Sequence, residues 1–444
     1  MTRAPAAMRR PCAGKPTATL HPMRSCSSPP SSSDTMTKEK SKKTKNNSKR
    51  KNRWRRARHR VVKSLVYLLS PLCKLWYGAK VERMKRPGKR PYLLLSNHQT
   101  AFDQFFVGMV YLGPVYYVAS EDLFSNGFIS RMLEWAVRPI PIRKQTTDVR
   151  AVMTCLKVAK EGGTIAISPE GNRTYSGRTE HINPAIGGLV KLLRLPVAFI
   201  RIEGGYGVQP RWADNVRKGK MRVYVSRIME PEEYRTLPEE EIAATIQKEL
   251  YVDDLKLGGT FQSKKSAEYM DRAYYVCPDC GLSTFHAEGE HITCKKCGKT
   301  WRYLPDRTFD QGPFRNTPEW YDYQTNYVNS LDLLQREDEL LYEEHASMKE
   351  VVLYKNKLPI AEDATLRLFG GRLEVCFGEE KRVFSFRETS AFTVLGRNKL
   401  NVYFEGKVFQ FKGDKHFNAV KYVQLFYRFQ NLLKGDEHGK FLGL

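Results

Sequence analysis

Apolar and polar positions change period several times along this 444-residue chain, and each change predicts an element. Over Val61 to Gly78 the polar positions are Lys63, Ser64, Tyr67, Ser70, Pro71, Lys74, Tyr77 and Gly78. They recur every three or four residues, which predicts a helix with one polar stripe on an otherwise apolar surface. A transmembrane helix needs about 20 predominantly apolar residues and would not keep such a stripe. The run Pro91 to Ser96 predicts a buried strand, and Gly163 to Ile167 predicts another. The second breaks at Ser168-Pro169-Glu170-Gly171-Asn172-Arg173, where Pro and Gly end the strand and leave a glutamate and an arginine in a loop. A helical stretch, Ile186 to Leu193, leads into a further strand, Leu195 to Ile200. Alternating strands and helices predict an α/β domain, a mixed sheet flanked by helices, with ligands at the carboxyl ends of the strands.

The pattern shifts toward strands after residue 309. Thr317-Pro318-Glu319 reads as a helix start with a capping hydroxyl, and the helix is expected to run to about Glu344. Short strands are expected at Glu350 to Tyr354, Ala364 to Phe369, Arg372 to Phe377, Arg382 to Phe386, Ala391 to Leu395, Leu400 to Phe404 and Lys407 to Phe411. Gly370-Gly371 and Glu405-Gly406 read as two-residue hairpin turns. Asp414 is the expected cap of a last amphipathic helix, His416 to Leu433. Seven strands closed by one helix resemble a pleckstrin-homology-like barrel, which implies a lipid headgroup or protein ligand; a regulatory or dimerisation module is the alternative.

Charge sharpens the picture at the amino end. The net charge is +26, and residues 37 to 60 hold 13 Lys and Arg against one Glu. That stretch is too charged and too poor in apolar residues to fold. Such a tail binds anionic lipid or nucleic acid. The amphipathic helix that follows, with Trp76 and Tyr77 suited to a headgroup layer, favours an anionic membrane surface over nucleic acid. The expected location is peripheral, on the cytoplasmic face of a membrane. The alternative is that the helix packs on the domain with its polar stripe outward. The first 35 residues are rich in Pro, Ser and Ala without an apolar core for a signal peptide. Met36 reads as the expected start, with a transit peptide as the other reading. The expected organisation is a basic tail over 1–60, an interfacial helix over 61–80, a catalytic domain over 81–265, a metal ribbon over 266–308, and a helix plus barrel over 309–444.

Candidate chemistry concentrates at the strand ends. In Asn97-His98-Gln99-Thr100-Ala101-Phe102-Asp103 a histidine precedes an aspartate by five residues. Continuous helix would turn those side chains apart, so His98 belongs to a loop and Asp103 to the start of the next helix. Imidazole takes a proton from a hydroxyl at neutral pH, and a carboxylate on its other nitrogen holds the useful tautomer. By itself the pair also fits a surface histidine beside a capping aspartate. Downstream lie Arg138-Pro139-Ile140-Pro141-Ile142-Arg143-Lys144 and the Glu170–Arg173 loop.

These blocks, in this order, resemble the glycerolipid acyltransferase family, most closely its 1-acyl-sn-glycerol-3-phosphate (lysophosphatidic acid) acyltransferases. The first family motif, N-H-x-x-x-x-D, matches Asn97, His98 and Asp103. The second ends in a phosphate-binding arginine, for which Arg143 is the better candidate and Lys144 the second. The third, commonly F-P-E-G-T-R, matches Pro169, Glu170, Gly171 and Arg173, with Ser168 and Asn172 as departures. The fourth matches loosely at Leu195 to Ala198. The resemblance covers roughly Ala79 to Asp253. It implies acyl transfer from an acyl thioester, carried by coenzyme A or acyl carrier protein, to the hydroxyl of a lysophospholipid. His98 would be the base and Asp103 its orienter. Arg143 and Arg173 would clamp the phosphate, and Glu170 would hold an arginine or bond the glycerol. Glycerol-3-phosphate and other lysophospholipids remain open as acceptors. A non-enzymatic nucleic-acid or lipid-binding adaptor is the reading of another class.

Cysteine spacing adds a metal site. Cys277-Pro278-Asp279-Cys280-Gly281 and Cys294-Lys295-Lys296-Cys297-Gly298 are two C-x-x-C-G knuckles separated by 13 residues. Four thiolates bind zinc with no open position, so a structural zinc is expected at Cys277, Cys280, Cys294 and Cys297. His286 and His291 are expected to be strand residues rather than ligands. Cys12, Cys26, Cys73, Cys155 and Cys376 are scattered and read as free thiols.

Overall fold

The computed structural model of the chain describes residues 59–85, 90–111, 113–125, 127–142, 148–352, 356–436, 439–442 and 444. The expected basic tail therefore lies, up to residue 58, outside the described residues. Helix α1 covers residues 59–77. Its polar stripe faces inward: Tyr67 Oη donates to Met109 O at 2.8 Å, and Lys63 Nζ donates to Tyr111 O and to Gly113 O, the latter at 2.6 Å. Ser70 and Tyr77 are buried. The apolar side faces outward, with Leu65, Leu68, Leu69, Leu72, Leu75 and Trp76 all exposed and Leu75 82% so. This is the reverse of a helix packed with its polar stripe outward. Hydrogen-bonding groups on the stripe meet carbonyls at the end of the next helix, which fixes the orientation. Gly78 ends the helix at φ +60°, where a Cβ would collide with Gly219 O, so the turn requires glycine. No helix among the described residues is long and apolar enough to cross a membrane.

A seven-stranded sheet follows. Its strands are β1 (Ala79–Val81), β2 (Leu93–Ser96), β3 (Val115–Ser120), β4 (Ile140–Ile142), β5 (Thr164–Ile167), β6 (Val197–Glu203) and β7 (Met221–Met229). They lie in the order β1-β7-β6-β2-β5-β3-β4. β6 and β7 pair antiparallel, and the other neighbours pair parallel. β2 is central, with Leu95 opposite Ile167 on one side and Phe199 on the other. This register brings the carboxyl ends of β2 and β5 side by side.

Helices α2 (Asp103–Val110), α4 (Val149–Lys160) and α5 (Ala185–Leu193), with a later helix, Glu239–Leu250, cover the sheet, while no described side chain of α3 (Phe128–Val137) joins either of its cores. Alternate residues feed the two faces. Leu94, Ala166, Ala198 and Ile200 pack with Phe106, Val107 and Val110 of α2 and with Tyr77. Leu93, Leu95, Ile165, Val197 and Phe199 pack with Cys155, Val190, Leu193 and Ile246 on the other side. Burial on both faces explains why these strands read as continuous apolar runs.

The ribbon region forms a two-stranded pair, Val276–Cys277 with Gly281–Leu282, and a three-stranded antiparallel sheet of Phe285–Glu288, His291–Cys294 and Thr300–Arg302. His286 and His291 sit in these strands. Trp301 and Trp320 pack with ring centroids 5.0 Å apart, joining the ribbon to the helix Thr317–Ser330. That helix stops at Ser330, well short of Glu344. Asn316 caps it, its side chain accepting from Glu319 N at 3.0 Å, in place of the expected Thr317 hydroxyl. Residues 340–350 form a strand instead. The charged run looked helical, but Tyr342, Ala346 and Met348 are buried in a largely alternating pattern and pair with Leu358–Phe369. The strand expected at Glu350 to Tyr354 is displaced for the same reason, and residues 353–355 lie outside the described ones.

The last seven strands form one antiparallel sheet, with Leu340–Glu350 between Leu358–Phe369 and Lys407–Lys412. The hairpin at Glu405-Gly406 has positive φ at both residues, the geometry of a type I′ turn. A helix over Ala419–Leu433 packs against this sheet, with Phe426 stacked on Phe392 at 4.6 Å. Asn418, not Asp414, is its cap, because Asp414 Oδ1 already accepts from His416 N and ends a turn. One aromatic-rich core runs from Tyr175, Tyr206 and Trp212 of the first domain through the ribbon to this helix.

Candidate active site

The site begins where β2 ends. Asn97 turns the chain off the sheet: its Nδ2 donates to Ile202 O at 2.8 Å and its Oδ1 accepts from Ile202 N at 2.7 Å, both in β6. The next residue, His98, is thereby held in a loop above the strand ends. Its Nδ1 lies 2.7 Å from Asp103 Oδ2. Asp103 is the first residue of α2 and is fully buried. It also accepts from Gln99 N at 2.6 Å, Thr100 N at 3.0 Å and Thr100 Oγ1 at 2.6 Å. Every one of these donors is fixed by the same five-residue turn, so the carboxylate has a single orientation. A proton on Nδ1 shared with Asp103 leaves Nε2 as the basic nitrogen.

The loop after β5 closes over this turn. Glu170 Oε1 accepts from His98 N at 2.7 Å, and Oε2 accepts from Glu180 N at 2.9 Å. Thr174 N donates to His98 O at 3.2 Å. Both backbone groups of His98 are therefore held by the second loop. Burial pushes the Glu170 carboxyl well above its ordinary range, against the two amide bonds that favour its charged form. Glu170 is committed to backbone amides rather than to a guanidinium. Ser168, which stands where phenylalanine was expected, bonds Ser96 Oγ at 3.0 Å and Gln104 Nε2 at 3.2 Å, tying β5, β2 and α2 together. Gly171 has φ +74° and nothing within 4 Å of where a Cβ would stand, so the loop turns there beside open space.

Arg173 completes the loop. It is only 8% exposed, and its Nη1 is buried without a hydrogen-bond partner among the described residues. Burial, and then the guanidinium groups of Arg211 and Arg397, push it down to about 10. Arg143 and Lys144 lie outside the described residues. The structure thus brings His98, Asp103, Glu170, Gly171 and Arg173 into two interlocked loops. It adds residues that no local pattern marked. Gln209 Oε1 accepts from Tyr77 Oη at 3.0 Å and from Ala101 N at 3.3 Å, pinning the end of α1 to the histidine loop. Arg211 bonds the Arg173 carbonyl at 2.9 Å. An apolar surface extends from Trp76 to Phe102 and Phe105, with ring centroids 6.2 and 5.5 Å apart.

Among the described residues, two clusters outside this site have metal-ligand character. The ligand atoms of Cys277, Cys280, Cys294 and Cys297 all lie within 4.8 Å of one another, with Cys277 and Cys297 sulfurs 3.8 Å apart. Gly281 and Gly298 both have positive φ, as the turn after each pair demands. Asp271, His286 and His416 form a second cluster, in which His416 Nδ1 lies 2.7 Å from Asp271 Oδ2.

Residues 79–203 match the family model described as Acyltransferase. A curated 1-acyl-sn-glycerol-3-phosphate acyltransferase of Bacillus subtilis (strain 168) is 23% identical over 192 residues, 43% of this chain and 93% of that one. Among solved structures, the crystal structure of the 1-acyl-sn-glycerophosphate (LPA) acyltransferase PlsC from Thermotoga maritima is 18% identical with a TM-score of 0.37, over 43% of this chain and 78% of that one.

Proposed function

We infer that this chain, an O-acyltransferase of the lysophosphatidate acyltransferase-like family, moves a fatty acyl group from a thioester to the free hydroxyl of 1-acyl-sn-glycerol-3-phosphate, giving phosphatidate. The observation that carries this is the His98–Asp103 pair, held by Glu170 through the His98 amide. His98 Nε2 takes the acceptor's hydroxyl proton as its oxygen attacks the thioester carbonyl. The tetrahedral intermediate collapses and expels the thiolate, which takes that proton back from the imidazolium. The acyl group passes directly to the acceptor, so the enzyme needs no nucleophile of its own. Asp103 holds the ring and stabilises its transient charge. Such a base contributes about 10²–10⁴-fold. Arg173, buried with an N–H that has no partner among the described residues, is suited to the acceptor phosphate, and Arg143 remains its proposed companion. The donor is an acyl thioester, of coenzyme A or acyl carrier protein.

The outward apolar face of α1 supports a membrane-surface location, on the cytoplasmic side, where both lipid substrates partition. Phe128, Met132 and Trp135 are likewise exposed on one face of α3. The four cysteines fit zinc. A tetrahedral ion with Zn–S bonds of about 2.3 Å sets its sulfurs about 3.8 Å apart, the separation of Cys277 and Cys297. That ion would brace the ribbon and supply no chemistry to the reaction. The strand count and closing helix of the carboxyl-terminal sheet support the pleckstrin-homology-like assignment. Product analysis of the purified chain with lysophosphatidate and acyl-coenzyme A, then with acyl carrier protein, tests the reading. Phosphatidate is the expected product; no phosphatidate from either donor would refute it.

A further inference from the structure

We propose that Arg397, carried on a hairpin of the carboxyl-terminal sheet, completes the acceptor's phosphate site beside Arg173. This deepens the acyl-transfer reading and rests on it. The hairpin joins strands Ala391–Leu395 and Lys399–Phe404 and turns at Gly396, which has φ +63°. Its tip is docked on the Glu170–Arg173 loop. Arg211 donates from Nη1 to Arg173 O at 2.9 Å, from Nε to Gly396 O at 3.0 Å and from Nη2 to Val394 O at 3.2 Å. One guanidinium thus brackets the backbone of both segments. Tyr175 Oη donates to Arg397 O at 3.4 Å, and the Arg211 guanidinium lies 4.2 Å from the centre of the Tyr175 ring.

Arg211 is spent on carbonyls, so it positions rather than binds. Arg173 and Arg397 are not spent. Arg173 Nη1 and Arg397 Nε are both buried without a partner among the described residues. The neighbouring carboxylates are already engaged. Asp103 holds the His98 turn, Glu170 holds two amides, and Glu180 accepts from Thr174 and Ser176 hydroxyls at 3.1 Å each. Asp214 bonds Arg272 at 2.8 Å and reaches one nitrogen of Arg397 at 3.3 Å. A buried cation, Arg173, beside a one-third-exposed one, Arg397, with orphaned N–H groups on both and half a counter-ion between them, is costly unless an anion joins them. A phosphate monoester has the charge and the oxygens to take both forks. Burial, then the Cys73 thiol and the Asp103 carboxylate, raise the Tyr77 hydroxyl, and Arg173 and Arg397 oppose that shift. The carboxyl-terminal domain would then help choose the acceptor.

The test uses the full chain with Arg397→Gln, Arg397→Lys and, as the control for the ion pair itself, Asp214→Asn. Apparent KM for lysophosphatidate is measured at fixed acyl-coenzyme A, and binding of sn-glycerol 3-phosphate is measured by calorimetry. Arg397→Gln is expected to raise KM about 10- to 100-fold, the cost of a lost charged hydrogen bond, with kcat little changed. It should weaken glycerol 3-phosphate similarly. Arg397→Lys should recover part of the loss, and Asp214→Asn should leave KM unchanged. Equal behaviour of Arg397→Gln and Asp214→Asn would overturn the proposal by making the residue a structural tether. So would unaltered glycerol 3-phosphate binding in Arg397→Gln, or its absence in wild type. Glycerol 3-phosphate binding that depends on Arg397, in a chain that makes no phosphatidate, would instead sink the acceptor reading and keep the anion site.

Discussion

Two polar clusters lie close together in this protein and are finished to different degrees. Around Asp103, every hydrogen-bonding direction is filled by the turn that carries it. Around Arg173 and Arg397, two buried N–H groups have no acceptor among the described residues. The difference separates positioning from recognition. A completed network orients one reactive group and tolerates no second geometry. An incomplete one, with an excess of positive charge and buried N–H groups left over, is completed when a ligand supplies what is missing.

Breaking the completed cluster should have the largest effect. His98→Ala is expected to lower kcat by about 10²–10⁴-fold, with a thermal unfolding midpoint unchanged by calorimetry. Retained turnover would mean that another group takes the proton. Glu170→Ala removes the clamp on the His98 and Glu180 amides and should cost about 10- to 100-fold in kcat with a smaller change in KM. A pure KM effect would put Glu170 on the substrate instead. The incomplete cluster should respond to pH. Burial and two neighbouring cations hold Arg173 down to about 10, so the free enzyme keeps this charge below that pH and loses it above. Glycerol 3-phosphate affinity should rise as the phosphate loses its second proton at about pH 6, level off by about pH 8, and fall as pH rises past about 10. The sign for stability is opposite: between that value and the ordinary arginine range the unfolded chain holds more protons, so this group favours folding as pH rises. A profile that stays level from about pH 8 to about pH 11 in calorimetry would remove Arg173 from the anion site. The smallest effect belongs to neither cluster. Replacing Leu68, Leu72 and Leu75 together with serine should weaken binding to anionic vesicles several-fold while activity on detergent-dispersed substrate persists. Unchanged sedimentation with vesicles would assign that face to a different partner.

Much of the first cluster was legible because it is written locally. Asn97 to Asp103 is one turn, and Ser168 to Arg173 is one loop, so a linear pattern places both. The parallel register of β2 and β5 then joins them. Glu170's engagement was not legible, since a carboxylate near an arginine in sequence invites an ion pair, while the fold spends it on amides from two other segments. Arg397 was invisible for a simpler reason: it stands 222 residues beyond its neighbour Tyr175, and only the docking of two domains brings them together. The helix expected to reach Glu344 failed likewise. Glu-rich composition favours helix in isolation, but pairing with the following strand, Leu358–Phe369, and with the distant Lys407–Lys412 makes Leu340–Glu350 a strand.

The shared aromatic core has a practical corollary. Tyr206 and Trp212 belong to the catalytic half, yet Tyr274, Trp320 and Tyr303 shelter them. Cutting the polypeptide after residue 265 would strip that shelter and leave large rings facing solvent. Residues 81–265 are therefore not a portable module, and attempts to express them alone should yield aggregates rather than a smaller enzyme.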